Sequence, residues 1–536
     1  RTFAWAQLTP YILLVLWALP LYLLQGEQQS LMAFDEVHYA GRARLMLETG
    51  NWINPWLEPH HKTPGYYWLV AISFRIFGIH ESAARFPNLI AGILATLVLY
   101  EIGKLLFNQR VAFLAALVLN VQFIWMQYCR LSAPDIPMTL LILSGIWFLL
   151  RAELSTTQSS WAWRFGAGLC LGLGFLVRSY VAVLPLVALF PYLILENRRH
   201  KHLAQPIFLL GLGLGLTATG LWLLLEWTQF GLTSLAALFD FPVDLATHDR
   251  HGGGWFYYFW NLPANSFPWS LFAIFGAILL WLKPAPRYRA LYLGYPIVLL
   301  LEISAVGTRT PRYSLAMYPF IALYAGFALD WLMKKYASGN PSDRKIVRRL
   351  GYFLAGLGST LAILGLLQRY IPTLIPDLEL YLSQTITYST VAWGIAWVGA
   401  VAIERFSQPG QGDRAWMASI LLGPWLALAF VNSAGLLGDY NADIKAFVRQ
   451  QQIAELLREQ EVDFINPDRE YKNKILFRFY TPTLGQRHDD FQQVAQGRYV
   501  WVKVTPENQT LVESCQTVGE VRGWELAYVE NGCNQR

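Results

Sequence analysis

Charged side chains are scarce in this sequence. Only 15% of its 536 residues are Asp, Glu, Lys or Arg, whereas soluble domains carry about 25%. Hydrophobic residues make up 54% of the chain, and the mean hydropathy is +0.32. This balance excludes a disordered chain, a collagen-like fibre and a free cytosolic protein. It predicts a polytopic membrane protein.

Cysteine and one-sided charge are scarce as well. Four cysteines in 536 residues do not make a disulfide scaffold. Cys515 and Cys533 both lie near the end of the chain, and they are expected to form a disulfide if that part is exported, with two unpaired thiols as the alternative. The net charge of +6 is spread over loops, so nucleic acid is not expected as a partner.

Long apolar runs are abundant, and a helix needs about 20 mostly apolar residues to cross a bilayer. The sequence predicts a mainly α fold with about thirteen transmembrane helices, at residues 8–24, 83–107, 111–129, 136–151, 164–178, 180–196, 204–228, 267–283, 289–306, 313–333, 350–368, 383–403 and 415–436. The pair at 164–178 and 180–196 is separated only by a short turn at Arg178 and Ser179.

Positive charges predict the orientation of these spans. Lys and Arg gather in the short loops 196–202, 283–289 and 334–349, which places those loops in the cytoplasm. With thirteen spans, five segments then lie outside the cytoplasm, namely 25–82, 130–135, 229–266, 307–312 and the tail after residue 437. We expect a multi-pass protein of the cytoplasmic (inner) membrane whose functional site and tail face the periplasm.

Two domains are predicted. Residues 1–436 form the transmembrane domain with the long outer loops 25–82 and 229–266, and residues 437–536 form a soluble extracytoplasmic α/β domain. Within the tail, residues 443–460 have the pattern of an amphipathic helix, and residues 475–480 and 499–504 have that of strands. Glycines within apolar runs predict close helix packing rather than nucleotide loops; they are Gly168, Gly172, Gly174, Gly211, Gly213 and Gly215.

The informative charges are those on the predicted outer side, where the positive-inside tendency disfavours cations. They are Asp35, Glu36, Lys62, Arg130, Asp135, Asp240, Asp244, His248, His251, Arg309 and Arg312. Binding an anion at the membrane surface gives such cations a physical reason. The alternatives are helix capping by Asp35 and Asp135 and interfacial snorkelling by the arginines.

Histidine and acidic side chains also suggest a metal site. His61, Asp240 and His251 are suitable ligand types for a divalent cation. Their spacing matches no tight metal motif, so such a cation is only a secondary expectation, and we expect no cofactor to be required.

Several of these segments resemble one family. Phe34 to Tyr39, Lys62-Thr63-Pro64, Arg130 to Asp135 and Arg312-Tyr313 resemble, in the right order, motifs of the GT-C membrane glycosyltransferases. Within that superfamily they are similar to the aminoarabinose (lipid A) transferases and the protein O-mannosyltransferases. The matching segments lie between about residues 30 and 325.

The resemblance implies an inverting glycosyltransferase of the bacterial cell envelope. The donor would be a sugar on a polyprenyl phosphate, and the acceptor would be a lipid, a glycan or a protein. Membrane lipids would surround the protein as further partners. Asp35 would be the catalytic acid–base residue, with Glu36 beside it and Asp135 as a second acid. The donor phosphate would be held by cationic side chains, namely Lys62, Arg309, Arg312 and Arg130.

The sequence departs from the family pattern in two places. The run His61-Lys62-Thr63-Pro64-Gly65 lacks the acidic residue before the lysine and the second proline after it. In the large loop, Asp240 or Asp244 stands where a histidine is usual. A transporter or flippase for a lipid-linked sugar is the alternative function, and a polymerase or ligase that uses a diphosphate-linked donor is a third.

Overall fold

Helices dominate this computed structural model, as the apolar runs predict. The structure describes residues 2–24, 28–33, 35–56, 59–248, 253–282, 287–338, 340–368, 384–408, 411–465, 471–530 and 533–535. By internal contacts it divides into two units. The first unit comprises Arg1–Gly26, Leu57–Tyr66 and Arg85–Leu437, and the second comprises Glu27–Trp56, Tyr67–Ala84 and Gly438–Arg536.

Helices are described both in the predicted spans and in the predicted outer loops 25–82 and 229–266. They are α1 Thr2–Leu23, α2 Asp35–Thr49, α3 Gly65–Phe77, α4 Glu81–Leu106, α5 Gln109–Asn120, α6 Phe123–Cys129, α7 Asp135–Leu154, α8 Thr157–Arg178, α9 Val183–Ala188, α10 Asn197–His200, α11 Pro206–Phe230, α12 Leu232–Thr247, α13 Tyr257–Asn265, α14 Trp269–Leu282, α15 Tyr295–Ala305, α16 Tyr318–Ala337, α17 Pro341–Leu367, α18 Gln384–Phe406 and α19 Asp413–Ser433. Every predicted span thus has a helical counterpart.

Fewer helices than the thirteen predicted spans meet the requirements of length and apolar composition for crossing a membrane. Within the described residues, eight helices are long and apolar enough to cross a membrane, or ten if each bent pair is one span. The chain is therefore a multi-pass membrane protein, while the count of thirteen is not confirmed. The predicted span 111–129 is α5 and α6 with a 71° bend between them. The pair at 164–178 and 180–196 lies within one candidate span, Ser159–Leu195.

The predicted glycine packing joins α8 and α11. A Cβ at Gly168 would lie 2.2 Å from the carbonyl oxygen of Phe208, and a Cβ at Gly211 would lie 2.2 Å from that of Phe165. Gly172 and Gly215 approach the facing backbone similarly, which confirms the packing role of these four. Gly213 has open space around its Cα, so the prediction does not extend to it.

The second unit contains a five-stranded sheet. Its strands are β1 Val462–Ile465, β2 Leu484–His488, β3 Tyr499–Lys503, β4 Gln516–Val521 and β5 Trp524–Tyr528, in the order β2-β1-β3-β5-β4. β1 runs parallel to β2 and β3, and β5 runs antiparallel to β3 and β4. The helices of the tail are α20 Ala442–Val448, α21 Gln451–Glu459, α22 Tyr471–Tyr480 and α23 Gln509–Glu513.

Two elements of the tail differ from their predictions. The strand predicted at 475–480 is wrong, because these residues belong to α22, where Phe477 is buried and stacks on Trp501 at 4.4 Å. The helix predicted at 443–460 is interrupted at Gln450, whose backbone is extended, so it becomes α20 and α21. The strand predicted at 499–504 is present as β3, and Cys515 and Cys533 form a disulfide.

Candidate active site

Lys62 lies in a segment whose backbone is fixed against the end of α8. The N–H of Thr63 donates to the hydroxyl of Ser179 at 2.9 Å, and the Thr63 hydroxyl donates to the carbonyl of Phe175 at 3.0 Å. Gly65 passes so close to α8 that a Cβ there would lie 2.6 Å from the carbonyl oxygen of Leu176. These contacts hold the backbone on both sides of Lys62, which is itself half-buried.

Asp135 begins α7 and is paired with an arginine. Its carboxylate is 1% exposed and accepts from Arg178, with Nε at 3.1 Å and Nη2 at 3.0 Å from Oδ1. Arg178 ends α8, and the next residue is Ser179, which bonds to Thr63. Consecutive residues at one helix end therefore join Asp135 to the Lys62 segment.

Sequence reasoning missed the role of Arg178, which was interpreted only as a turn residue. The position of Arg178 could have indicated a paired residue, because a charge at the end of an apolar run is costly without a partner. Ser179 adopts a φ of 52°, a left-handed conformation that is uncommon outside glycine. Its contact with Thr63 helps to hold this conformation, and such backbone outliers cluster at functional sites.

The guanidinium of Arg309 donates hydrogen bonds to nearby backbone carbonyls. Arg309 is 7% exposed and donates to the carbonyl oxygens of Ser304 and Gly307, at 3.2–3.3 Å and 3.2 Å. These bonds satisfy carbonyls at the end of α15, as basic residues often do at helix C-termini. The segment also bonds to the end of α12, since Thr308 donates to the carbonyls of Leu245 and His248 at 2.8 and 3.0 Å.

Arg312 lies in a 3₁₀ turn, Pro311–Met317, and is half-buried. The neighbouring Tyr313 packs on the apolar cluster of Met138, Val181 and Ala182. Met138 lies one turn into α7, and Val181 follows Ser179 closely in sequence. Arg312 therefore belongs to the same part of the first unit as Asp135 and the Lys62 segment, and it is a better phosphate candidate than Arg309.

Arg130 is buried among helix ends. Its guanidinium donates to the amide oxygen of Asn432 and, at 2.6 Å, to the carbonyl of Leu24. These bonds connect the end of α6 with α1 and α19, so Arg130 stabilises the packing of these helix ends. Its role toward a phosphate stays a prediction.

Asp35 and Glu36 belong to the second unit, at the start of α2. Glu36 is fully buried and its carboxylate accepts from the N–H of Met32 at 2.8 Å. Asp35 is only half-buried. Glu36 therefore orders the chain before the helix, and Asp35 is the more accessible carboxylate of the two.

The predicted metal ligands lie only partly within the described residues. The ring of His61 is tilted against that of His60, with the ring centres 4.6 Å apart, and Asp240 is exposed on α12. His251 lies outside the described residues, so this ligand set stays a prediction. The described residues instead bring Glu153, His200 and His202 together, with ligand-type atoms within 4.8 Å of one another.

The hydrogen bonds of this second group disfavour a metal. The Nε2 atom of His200 donates to the carbonyl of Tyr192 at 3.0 Å, and its Nδ1 accepts from the N–H of His202 at 3.1 Å. The Nδ1 of His202 accepts from Arg164 at 3.4 Å. Burial lowers the pKa of His200 to about 4 and also lowers that of His202. The neutral rings thus use their lone pairs within the protein, and we interpret the group as structural.

Part of the chain matches a known family. Residues 61–223 match the family model described as dolichyl-phosphate-mannose-protein mannosyltransferase. This range contains Lys62, Asp135 and Arg178, but it does not contain Asp35 or Arg312.

The curated relatives are similar over a limited region. The undecaprenyl phosphate-alpha-4-amino-4-deoxy-L-arabinose arabinosyl transferase of Aeromonas hydrophila is 30% identical over 262 residues, which cover 46% of this chain and 42% of that protein. A second arabinosyl transferase of this name, from Pseudomonas fluorescens, is 28% identical over 280 residues, with 47% and 46% covered. The chain thus spans less than half the length of these relatives.

Solved structures share the fold over a greater length. ArnT from Cupriavidus metallidurans in the apo state has a TM-score of 0.73 and 17% identity, with 98% of each chain covered. The Archaeoglobus fulgidus oligosaccharyltransferase has a TM-score of 0.51 and 15% identity, with 90% of this chain and 64% of that chain covered. The family model and the curated relatives confirm that the chain is similar to the GT-C membrane glycosyltransferases of the aminoarabinose transferase and protein O-mannosyltransferase group, and the solved structures show that it shares their fold.

Proposed function

We propose that this protein transfers a sugar from a polyprenyl-phosphate donor to a lipid, glycan or protein acceptor at the outer face of the cytoplasmic membrane. The observation that carries the proposal is the buried Asp135–Arg178 pair, which Ser179 joins to the Lys62 segment. A pair of buried charges is costly to build, and this one lies within the range that matches the mannosyltransferase family model.

The donor class is proposed from the relatives and from the charges. The curated relatives are named as transferases acting from undecaprenyl phosphate, and ArnT has also been solved bound to undecaprenyl phosphate. Lys62 and Arg312 supply cations for such a phosphate, and an arginine can donate two hydrogen bonds to it.

The reaction is an inverting displacement. The acceptor oxygen attacks the anomeric carbon from the side opposite the phosphate, and the bond from that carbon to the phosphate oxygen breaks. Asp35 takes the hydroxyl proton as the general base, and the polyprenyl phosphate leaves with its added negative charge stabilised by Lys62 and Arg312. Asp135, held by Arg178, orients the reacting groups.

We propose that the reaction needs no metal ion, since the cationic side chains already stabilise the leaving phosphate. A divalent cation near His61 and Asp240 is the alternative. Turnover that persists after treatment with a chelator supports the metal-free reaction, and turnover that is lost and then restored by a divalent cation contradicts it.

The Asp35→Asn variant tests the general base. In purified protein, sugar transfer should fall by roughly 10²- to 10⁴-fold, the usual contribution of a general base, while the thermal stability stays near that of the wild type. Glu459→Gln is the matched control, because Glu459 is exposed on α21. Near-normal turnover of Asp35→Asn would show that the assignment is wrong.

The Lys62→Ala variant tests the phosphate site. Donor affinity should fall by roughly ten- to a hundredfold, since a hydrogen bond to a charged group contributes about 1.5–3 kcal/mol. Lys345→Ala, at an exposed position on α17, should leave it unchanged. Supplying a labelled polyprenyl-phosphate sugar to the purified protein in detergent separates an enzyme from a transporter, because a carrier would bind the donor without transferring its sugar.

A further inference from the structure

The tail of this chain forms one unit with the segment that carries Asp35. Residues Glu27–Trp56 and Tyr67–Ala84 group with Gly438–Arg536 rather than with the remaining helices. The contacts within this unit lie on both sides of Asp35, in the segment that precedes α2 and along α2 itself.

On the C-terminal side of Asp35, Arg44 makes most of the hydrogen bonds to the tail. It lies on α2, is only 5% exposed, and points at the end of α22. Its Nη1 donates to the carbonyls of Arg478, Phe479 and Thr481 at 3.1, 2.9 and 2.8 Å, and its Nη2 donates to that of Pro482 at 2.6 Å. The carbonyls at a helix end lack partners within the helix, so one side chain of α2 satisfies the end of a tail helix.

A van der Waals contact one turn away supports the same packing. A Cβ at Gly41, one turn before Arg44, would lie 3.8 Å from the side chain of Ile475 on α22. Glu48, one turn after Arg44, accepts from its Nε. α2 therefore meets α22 at Gly41 and Arg44, and Glu48 of the same helix holds the Nε side of the Arg44 guanidinium.

The segment before Asp35 is bound by other tail residues. The hydroxyl and N–H of Ser30 donate to the carboxylate of Asp439 at 2.6 and 2.9 Å. The N–H of Leu31 donates to the Tyr480 hydroxyl at 3.1 Å, and its carbonyl accepts from the Asn441 amide at 2.8 Å. The chain is thus fixed four residues before Asp35.

A buried ion pair adds a third contact. Lys445 on α20 forms an ion pair of 2.5 Å with Glu81 at the start of α4, and it donates to the carbonyl of Gln29 at 3.2 Å. Both charged side chains are less than 10% exposed. Breaking such a pair from one side leaves a buried charge, so the tail and the first loop are mutually dependent.

We propose that the tail is a positioning device for Asp35, and that Arg44 is its principal positioning residue. The inference rests on the proposed role of Asp35 in sugar transfer. Arg44 touches no reacting group; it acts by fixing the helix that Asp35 begins. A general base works only when it is held within hydrogen-bond distance of its proton, and a displacement of about 1 Å can lower the rate by about 10²-fold.

The test uses the full-length protein with Arg44→Gln, Arg44→Lys and Tyr480→Phe. Arg75→Gln is the matched control, because Arg75 is an exposed arginine of α3 in the same unit. For each protein, kcat and the KM for the donor are measured together with hydrogen exchange at the amides of residues 35–40.

We expect kcat to fall by roughly 10²-fold in Arg44→Gln, with the donor KM changed by less than about twofold and with faster exchange at the start of α2. Arg44→Lys should recover part of kcat. Tyr480→Phe removes a single hydroxyl and keeps the ring in place, so it should show a smaller change of the same kind. Arg75→Gln should behave as the wild type does.

Two results would overturn the inference. Unchanged exchange at residues 35–40 in both Arg44→Gln and Tyr480→Phe would show that the tail does not fix α2. Faster exchange with a normal kcat would show that the link has no catalytic effect. Absence of transfer by the wild type would instead contradict the proposed function, and the exchange data would still decide whether the tail holds the helix.

Discussion

Single residues at the ends of helices form the contacts that hold the candidate site together. Asp135 was predicted as a site residue from its charge on the predicted outer side and from the resemblance of Arg130 to Asp135 to a family motif, whereas its partner Arg178 was not predicted at all. The two are 43 positions apart, and no local pattern connects residues at that distance. Only the packing of α7 beside α8 places the guanidinium against the carboxylate.

Removing the Arg178 guanidinium should leave the buried Asp135 carboxylate without its cationic partner. Arg178→Gln should destabilise the protein by about 3–5 kcal/mol and lower transfer activity, as measured by thermal denaturation in detergent and by turnover. The double variant Asp135→Asn/Arg178→Gln, which no longer buries a single charge, should regain much of the stability but not the activity. A single variant as stable as the wild type would contradict the pairing.

His200 makes the stability depend on pH. In the folded chain its pKa is about 4, because the ring is buried, whereas an ordinary imidazole takes up a proton near pH 6.5. The unfolded state therefore binds more protons between these values, so stability falls as the pH drops from about 6.5 to 4. In His200→Gln the melting temperature should fall less steeply over this range. Identical slopes for the two proteins would show that His200 is not the cause.

At the scale of elements, the glycines of α8 and α11 show what a sequence pattern can and cannot resolve. The pattern predicts a close helix pair, and the structure contains one. It does not show which glycines face the partner, because that depends on how each helix is rotated. Gly211 meets the backbone of α8, whereas Gly213, two residues later, has nothing within 4 Å of an added Cβ.

This difference provides a matched pair of variants. Gly211→Ala would place a Cβ 2.2 Å from a backbone carbonyl, and we expect a loss of stability of about 1–3 kcal/mol, as for other overpacked interiors. Gly213→Ala should be neutral or slightly stabilising, because alanine favours a helix. Thermal denaturation in detergent measures both, and equal effects of the two variants would contradict this packing.

The incorrect strand at 475–480 has a related cause. A short apolar run fits a strand or a buried helix equally well. The deciding contacts are distant in sequence, since Arg44 bonds to carbonyls at the end of α22, and Phe477 stacks on Trp501. Local propensity could not include either of them.

At the scale of the whole molecule, the sidedness of the tail can be tested through its disulfide. Cys515 and Cys533 are bonded, and disulfides persist in oxidising compartments. In intact spheroplasts, a membrane-impermeant reductant followed by an impermeant maleimide should label these cysteines. The Cys515→Ser/Cys533→Ser variant sets the background from Cys129 and Cys170. Labelling that requires a broken membrane would place the tail in the cytoplasm and contradict the predicted topology.

The sequence by itself determined the class of this protein and most of its helices. Its apolar runs require a membrane environment, because a helix of about 20 apolar residues is what crosses a bilayer. Its motifs predict Asp35, Lys62 and Asp135 as site residues. The tertiary structure decided the partners: Arg178 for Asp135, Ser179 for the Lys62 segment, and Arg44 for the tail. Each is a contact between residues far apart in the chain, and such contacts are fixed by how whole elements pack rather than by any local pattern.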